Sequence, residues 1–130
     1  TPAPHASYTG FLNQSEIPKA YVAADALVLA SDAEETWGLV VNEAMASGLP
    51  AIVSDACGSA EDLVVPLDSR LSFPCGDVAA LAEAIRWLAY HPISPSTIAE
   101  RIARYDIGAT VETVERLWSA VLVGHGSNVR

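Results

Sequence analysis

Residues 35–54, ETWGLVVNEAMASGLPAIVS, decide the fold of this chain because they contain a complete passage from helix to strand. Two carboxylates, Glu35 and Glu43, stand eight positions apart on either side of a Trp-Gly pair. A helix is predicted to begin at that pair and to end at Gly48, a residue type that often terminates helices. The apolar run 51–54 that follows predicts a short buried strand.

Strands and helices also alternate on both sides of this stretch. Ser7–Phe11 predicts the end of a short strand, and Ser15 is expected to cap the next helix. The apolar run 26–29 is typical of a strand buried on both faces. A helical turn around 60–63 and a last strand at 70–73 complete the series. This order predicts the α/β class, with a parallel sheet of the doubly wound, Rossmann-like type.

The segment after Pro74 is expected to contain helices alone. Asp77 is predicted to cap the first of them. Apolar residues then recur at helical spacing in three groups, which are Leu81, Ile85 and Leu88; Ile98 and Ile102; and Val111, Val114, Trp118 and Val121. We therefore expect one partial domain, with a βαβ part over 1–76, helices over 77–124 and a tail over 125–130.

Composition limits the classes of function. The chain has 130 residues and a formal net charge of −9, with Lys19 as its lone lysine, which argues against a nucleic-acid partner. Cys57 and Cys75 have no metal-ligand spacing, so we expect reduced, ordinary thiols and neither a metal nor a cofactor. This composition favours the cytoplasm. Thr1–Pro4 lacks an initiator Met and a signal-peptide pattern, and is interpreted as a cut within a longer protein.

The helix start at Gly38 is the predicted ligand site. In open α/β sheets, ligands bind at the carboxyl ends of the strands, where this helix begins. Free N–H groups of Gly38, Leu39 and Val40, at the positive end of the helix dipole, suit a phosphate. Glu35 should face the same opening, and Glu43 suits the vicinal hydroxyls of a ribose. Together these groups predict a nucleotide-sugar site.

These residues also carry a resemblance to a known family. The Glu35-to-Glu43 spacing, with Ala44-Met45-Ala46-Ser47-Gly48-Leu49-Pro50 after it, resembles the motif of the retaining GT-B glycosyltransferases of family 4 (group 1). The approach Tyr21–Ser31 and the downstream segments Gly58–Glu61 and Phe73–Leu81 are also similar to that family. The likeness covers roughly residues 8–90.

The resemblance implies a role for each part of the motif. Glu35 would contact the donor sugar and act as the catalytic residue, and Glu43 would hold the ribose hydroxyls of the nucleotide. The N–H groups of Gly38, Leu39 and Val40 would receive the diphosphate. The reaction would be transfer of a sugar, of the hexosyl type, from a nucleotide-diphosphate donor to an acceptor with retention of configuration. Neither a metal nor a dedicated nucleophile is implied.

Departures from the family pattern imply an incomplete GT-B C-terminal domain. The family's first two strands, its basic diphosphate-binding residues and its N-terminal acceptor domain have no counterpart in this sequence. The chain would therefore supply the donor-binding side of the site and be inactive alone, within a parent that works in the cytoplasm or at the inner membrane face. Without those strands, the strand at 26–29 would have an unpaired apolar edge, which predicts self-association.

Other interpretations stay open at this point. Two carboxylates are also the catalytic groups of a glycoside hydrolase. The chain would equally serve as a nucleotide- or sugar-binding module, or as an interaction module, without turnover. Trp37 would line the donor pocket or belong to the core. Asp55 and Glu61 are expected to brace the loop near the phosphate site, and Glu34 is interpreted as a loop charge.

Overall fold

The computed structural model describes residues 5–32 and 35–125, and its centre is a parallel sheet. Three strands pair in the order β1 (Leu27–Leu29), β2 (Ala51–Ser54), β3 (Ser72–Phe73). In the register, Leu27 lies beside Ala51, and Val53 lies beside Ser72. The α/β class and the parallel sheet predicted from the sequence are confirmed.

Five helices surround this sheet in the described residues. They are α1 (Ile17–Ala23), α2 (Leu39–Ala46), α3 (Val78–Tyr90), α4 (Pro95–Ile102) and α5 (Ile107–His125). A π-helical turn covers Ala60–Val64, and 3-10 turns cover Ser69–Leu71 and Ala103–Tyr105. Asp77 caps α3 as predicted, because its Oδ1 accepts the N–H of Ala80 at 2.9 Å.

The core lies around the central strand. All four residues of β2 are buried, since α2, α3 and the π-helical turn pack against it. The side chains that fill this core include Val41, Met45, Leu63, Leu71 and Ile98. A second, smaller cluster joins α1 to α2 through Tyr21, Ala44 and Leu49. Both clusters include residues of α2, the helix that carries the site motif.

The predicted N-terminal strand is wrong. Residues Ser7–Phe11 form no strand, and the side chains of Tyr8 and Phe11 are 96% and 93% exposed. A strand needs a neighbouring strand to accept its backbone hydrogen bonds, and none lies beside this segment in the described part of the chain. Ser15 does not cap α1 either: its N–H and hydroxyl both donate to Asn13 Oδ1, and Glu16 occupies the N-cap position.

The helices after Pro74 bury different side chains from those predicted. Ile85 is 47% exposed, while Ala84 is buried beside Leu88. On α5 the predicted apolar face is present but exposed, with Trp118 at 65%. The spacing therefore identified a helix, but most of its apolar face is exposed in the described part of the chain. The predicted tail begins at His125, which ends α5, and its remaining residues lie outside the described ranges.

One edge of the sheet has no strand beside it in the described residues. β1 pairs with β2 on one side only, and Val28 in its middle is 43% exposed. A groove of about 630 Å³ runs next to this edge, between Asp25, Pro50 and Ile85. Within residues 5–32 and 35–125, no helix has the length and hydropathy to cross a membrane.

Candidate functional site

The carboxyl ends of the three strands are tied together by short contacts. The Ser54 hydroxyl, at the end of β2, donates to the carbonyl of Ser31 in the loop after β1. Asp55 accepts the N–H of Cys75 at 2.8 Å, and its own N–H donates to the carbonyl of Phe73 at 2.8 Å. Asp55 therefore braces the loop after β3. Together these hydrogen bonds hold the carboxyl ends of the three strands in place.

Glu35 lies at the centre of this edge. It is half-buried and lines two neighbouring open cavities of about 350 Å³ each. One cavity extends to Ser31 and Asp32, and the other extends to Asp55 and Glu61. Glu35 Oε1 also accepts a hydrogen bond from the N–H of Gly38 at 3.0 Å. Glu35 thus lies at the N-terminal end of α2, where the sequence predicted a phosphate.

Two glycines allow the backbone to pack closely at this point. Gly38 is buried with φ 86°, and a Cβ there would lie 2.8 Å from Leu29 Cδ2. A Cβ on Gly58 would lie 2.5 Å from the carbonyl oxygen of Thr36, which is a backbone atom with little freedom to move. The N–H of Ser59 completes this contact by donating to the carbonyl of Trp37 at 3.1 Å.

The first N–H groups of α2 are further hydrogen-bond donors near Glu35. Leu39 and Val40 open the helix, and N–H groups at this position have no acceptor in a preceding turn. Their side chains are 69% and 36% exposed, so this end of α2 lies at the surface. Of the three N–H groups predicted to receive a diphosphate, that of Gly38 is already bonded to Glu35.

Glu43 lies further along the same helix. It is exposed, and its Oε2 accepts a hydrogen bond at 2.9 Å from the hydroxyl of Tyr21, a buried residue of α1. Burial of the phenol, together with the hydrogen bond and the negative charge of Glu43, raises the pKa of Tyr21 to about 12. The phenol therefore remains a donor at neutral pH.

Trp37 does not line either cavity beside Glu35. Its indole Nε1 donates to Asn42 Oδ1 at 2.7 Å, and its ring lies 6.2 Å from that of Tyr105. These residues line a separate cavity of about 390 Å³ between α2 and the start of α5. The structure thus favours the core interpretation of Trp37, whose ring packs against the main cluster.

The charge of the site is negative. Three carboxylates, those of Glu35, Asp55 and Glu61, line one cavity, and among the described residues no Lys or Arg lines either cavity beside Glu35. The described residues contain no group of three or more His, Cys, Asp or Glu side chains arranged to hold a metal ion. Cys57 is a buried free thiol whose pKa is raised by burial and by the charge of Glu35. Glu34 lies outside the described residues.

Sequence reasoning placed Glu35, the helix start and Glu43 in one local unit, and the structure keeps them on α2 and its approach loop. It missed Tyr21 as a partner of Glu43, although that residue lies in a segment that carried the family resemblance. It also missed Gly58 as a packing requirement. No local pattern signals either contact, because each joins segments more than 20 residues apart.

A family-model comparison matches residues 2–105 to the family described as glycosyl transferases group 1. Among curated proteins, a GDP-mannose-dependent alpha-mannosyltransferase of Mycobacterium tuberculosis (strain CDC 1551 / Oshkosh) is 35% identical over 98% of this chain and 32% of its own length. A sulfoquinovosyl transferase of Arabidopsis thaliana is 32% identical over 90% of the chain and 24% of its own length.

A 2-deoxystreptamine N-acetyl-D-glucosaminyltransferase of Streptomyces fradiae is 40% identical over 59% of the chain and 18% of its own length. No solved structure matches the chain. The chain spans about a third of the length of the two mannosyltransferases that it matches. Because the family model covers most of its residues, the chain belongs to the glycosyl transferases group 1 family.

Proposed function

We propose that this chain forms the donor-binding side of a retaining glycosyltransferase, and that it holds a nucleotide-diphosphate sugar at the start of α2. The observation that carries the proposal is the position of Glu35, which lies between two open cavities and bonds to the N–H before the helix. Glu43 lies five residues into the helix from Gly38, or about 7 Å along its axis. This separation suits a diphosphate at the helix start and a ribose beside Glu43.

Binding is proposed to change the partner of Glu35. The N–H groups of Leu39 and Val40 receive one phosphate, helped by the positive end of the helix dipole. Glu35 then releases the N–H of Gly38 to the diphosphate and accepts a hydroxyl of the donor sugar instead. This exchange leaves both the Gly38 N–H and the Glu35 carboxylate with a partner.

In the transfer step, the bond between the sugar and the diphosphate breaks, and the acceptor hydroxyl oxygen forms a bond on the same face of the sugar. The proton of that hydroxyl passes to the departing diphosphate. Negative charge develops on the departing diphosphate, so N–H groups aimed at it stabilise the transition state. The described residues that line the two cavities beside Glu35 include no cationic side chain for this purpose. We therefore propose that the chain lacks activity alone, and that basic residues and an acceptor-binding surface come from a larger parent protein.

Two other functions compete with this one. A glycoside hydrolase would also use two carboxylates, but membership of a glycosyltransferase family favours transfer. A binding module without turnover is the second, and it shares the donor site. Transfer of a labelled sugar by the parent protein would distinguish the module from the enzyme.

The nucleotide and the sugar are best identified by direct titration. The relatives are named for mannosyl, sulfoquinovosyl and N-acetylglucosaminyl transfer, and the names of two of them specify GDP-mannose. We therefore propose a hexosyl-type donor and begin with GDP, UDP and ADP in a calorimetric titration of the folded chain. One of the three should bind. Absence of binding by all three, with circular dichroism showing a folded sample, would contradict the proposed donor site.

We also propose that copies of this chain associate through the edge of β1. That edge carries backbone groups with no strand beside them in the described residues and the exposed side chain of Val28, and such edges readily pair with another chain. Sedimentation velocity should show dimers or larger species whose proportion rises with concentration. A monomer across a wide concentration range would contradict this association.

Two free cysteines, Cys57 and Cys75, suit the proposed cytoplasmic location.

A further inference from the structure

The contact between Tyr21 and Glu43 joins a buried anchor to an exposed carboxylate. We propose that Tyr21 is a positioning residue, which holds the carboxylate of Glu43 in the orientation that accepts the two ribose hydroxyls of a nucleoside diphosphate. This inference rests on the proposed function. It assigns to α1 a part in donor recognition that the Glu35-to-Glu43 motif does not contain.

The phenol ring is itself held rigidly. Tyr21 is 8% exposed and belongs to the small cluster with Ala44 and Leu49, against which Ile17 and Leu27 pack. Its hydroxyl therefore has a fixed position at the surface of α2. Glu43, in contrast, is exposed, and a glutamate side chain with three rotatable bonds samples many rotamers unless a partner restricts it.

The hydrogen bond also gives the two carboxylate oxygens of Glu43 different partners. Oε2 accepts the phenol at 2.9 Å, and Oε1, which has two lone pairs, is left to accept the two ribose hydroxyls. The raised pKa of Tyr21, about 12, keeps the phenol protonated and its donor role fixed across physiological pH. A carboxylate ordered before binding loses less conformational freedom when the ligand arrives.

Tyr21→Phe tests this role because it keeps the ring and removes the hydroxyl. Calorimetry would compare the ribonucleoside diphosphate that binds the chain with its 2′,3′-dideoxy analogue, for the original chain and the variant. We expect the variant to bind the ribonucleotide about fivefold more weakly and the dideoxy analogue equally well. A purely structural role would weaken both ligands by the same factor, and that result would overturn the inference.

Glu43→Gln separates this inference from the proposed function. If Glu43 binds the ribose, Glu43→Gln should reduce the preference for the ribonucleotide over the dideoxy analogue. Tyr21→Phe should then have little further effect in the Glu43→Gln background. A lost preference in Glu43→Gln, with an unchanged one in Tyr21→Phe, would overturn the positioning role and leave the donor site standing. Equal binding of both ligands by the original chain would contradict the donor site and the inference together.

Discussion

Glu35 Oε1 accepts the backbone N–H of Gly38 at 3.0 Å, so the glutamate that faces the proposed donor also stabilises the start of α2. Glu35→Ala should therefore lower the free energy of unfolding by about 1 kcal/mol, because the N–H loses its acceptor. Glu35→Gln keeps an oxygen acceptor and should cost less than half as much. Urea denaturation followed by circular dichroism measures both variants, and equal losses would show that charge alone matters.

The contact between Gly58 and the carbonyl of Thr36 predicts a strong response to one added methyl group. Gly58→Ala would place a Cβ 2.5 Å from that backbone oxygen, and relieving the clash should cost about 1–3 kcal/mol of stability. Gly108→Ala is the control, since its nearest neighbour is the end of the Asp106 side chain. Gly108 is the second residue of α5, and the Asp106 oxygen that its Cβ would meet accepts the N–H of Ala109, so this change should alter stability by no more than about 0.5 kcal/mol.

Chemical denaturation should therefore show a clear loss of stability for Gly58→Ala and little change for Gly108→Ala. A Gly58→Ala variant as stable as the original chain would mean that the segment around Gly58 moves away from Thr36 without cost. The assignment of close packing between Gly58 and Thr36 would then be wrong.

Acid should weaken the hydrogen-bonded cluster of Asp68, Arg70 and Trp87. Asp68 accepts hydrogen bonds from Arg70 and from the indole of Trp87, and the bonds from Arg70 lower its pKa to about 2. A lowered pKa in the folded state means that the stabilisation is present above the unfolded value, about 4, and is lost as the pH falls toward 2. The loss should not exceed about 1 kcal/mol, since Arg70 is largely exposed.

Urea unfolding at pH 5 and at pH 2.5, followed by tryptophan fluorescence, measures this loss. Asp68→Asn should remove part of the acid sensitivity, whereas Asp62→Asn, at an exposed carboxylate elsewhere on the surface, should leave it unchanged. The same acid sensitivity in all three chains would assign the effect to other groups.

The parts of the fold that the sequence predicted are those governed by local patterns. The apolar run at β2, the helix-ending glycine after α2 and the cap by Asp77 each depend on residues within a few positions of one another. The strand at Ser7–Phe11 could not be judged in that way, because a strand depends on a partner that is distant in sequence. The spacing on α5 likewise predicts a helix with an apolar face, but not what covers it.

The candidate site follows the same division. Glu35, the start of α2 and Glu43 belong to one continuous stretch, so their order along the chain was sufficient to predict that they lie on one helix and the loop before it. The bond from Tyr21 to Glu43 spans 22 positions and depends on how α1 packs against α2. The orientation of Trp37 toward Tyr105, away from the cavities beside Glu35, also depends on tertiary packing.

The central claim is that α2 presents Glu43 to the ribose of a nucleotide-diphosphate donor, and the affinity of Glu43→Ala for the nucleoside diphosphate tests it most directly. Calorimetry would compare this variant with the original chain and with Glu100→Ala, an exposed glutamate of α4 that controls for the change in charge. We predict that Glu43→Ala binds at least about tenfold more weakly, because hydrogen bonds to a charged group are lost, and that Glu100→Ala binds as the original chain does. Equal affinity of Glu43→Ala and the original chain, in folded samples, would contradict the account.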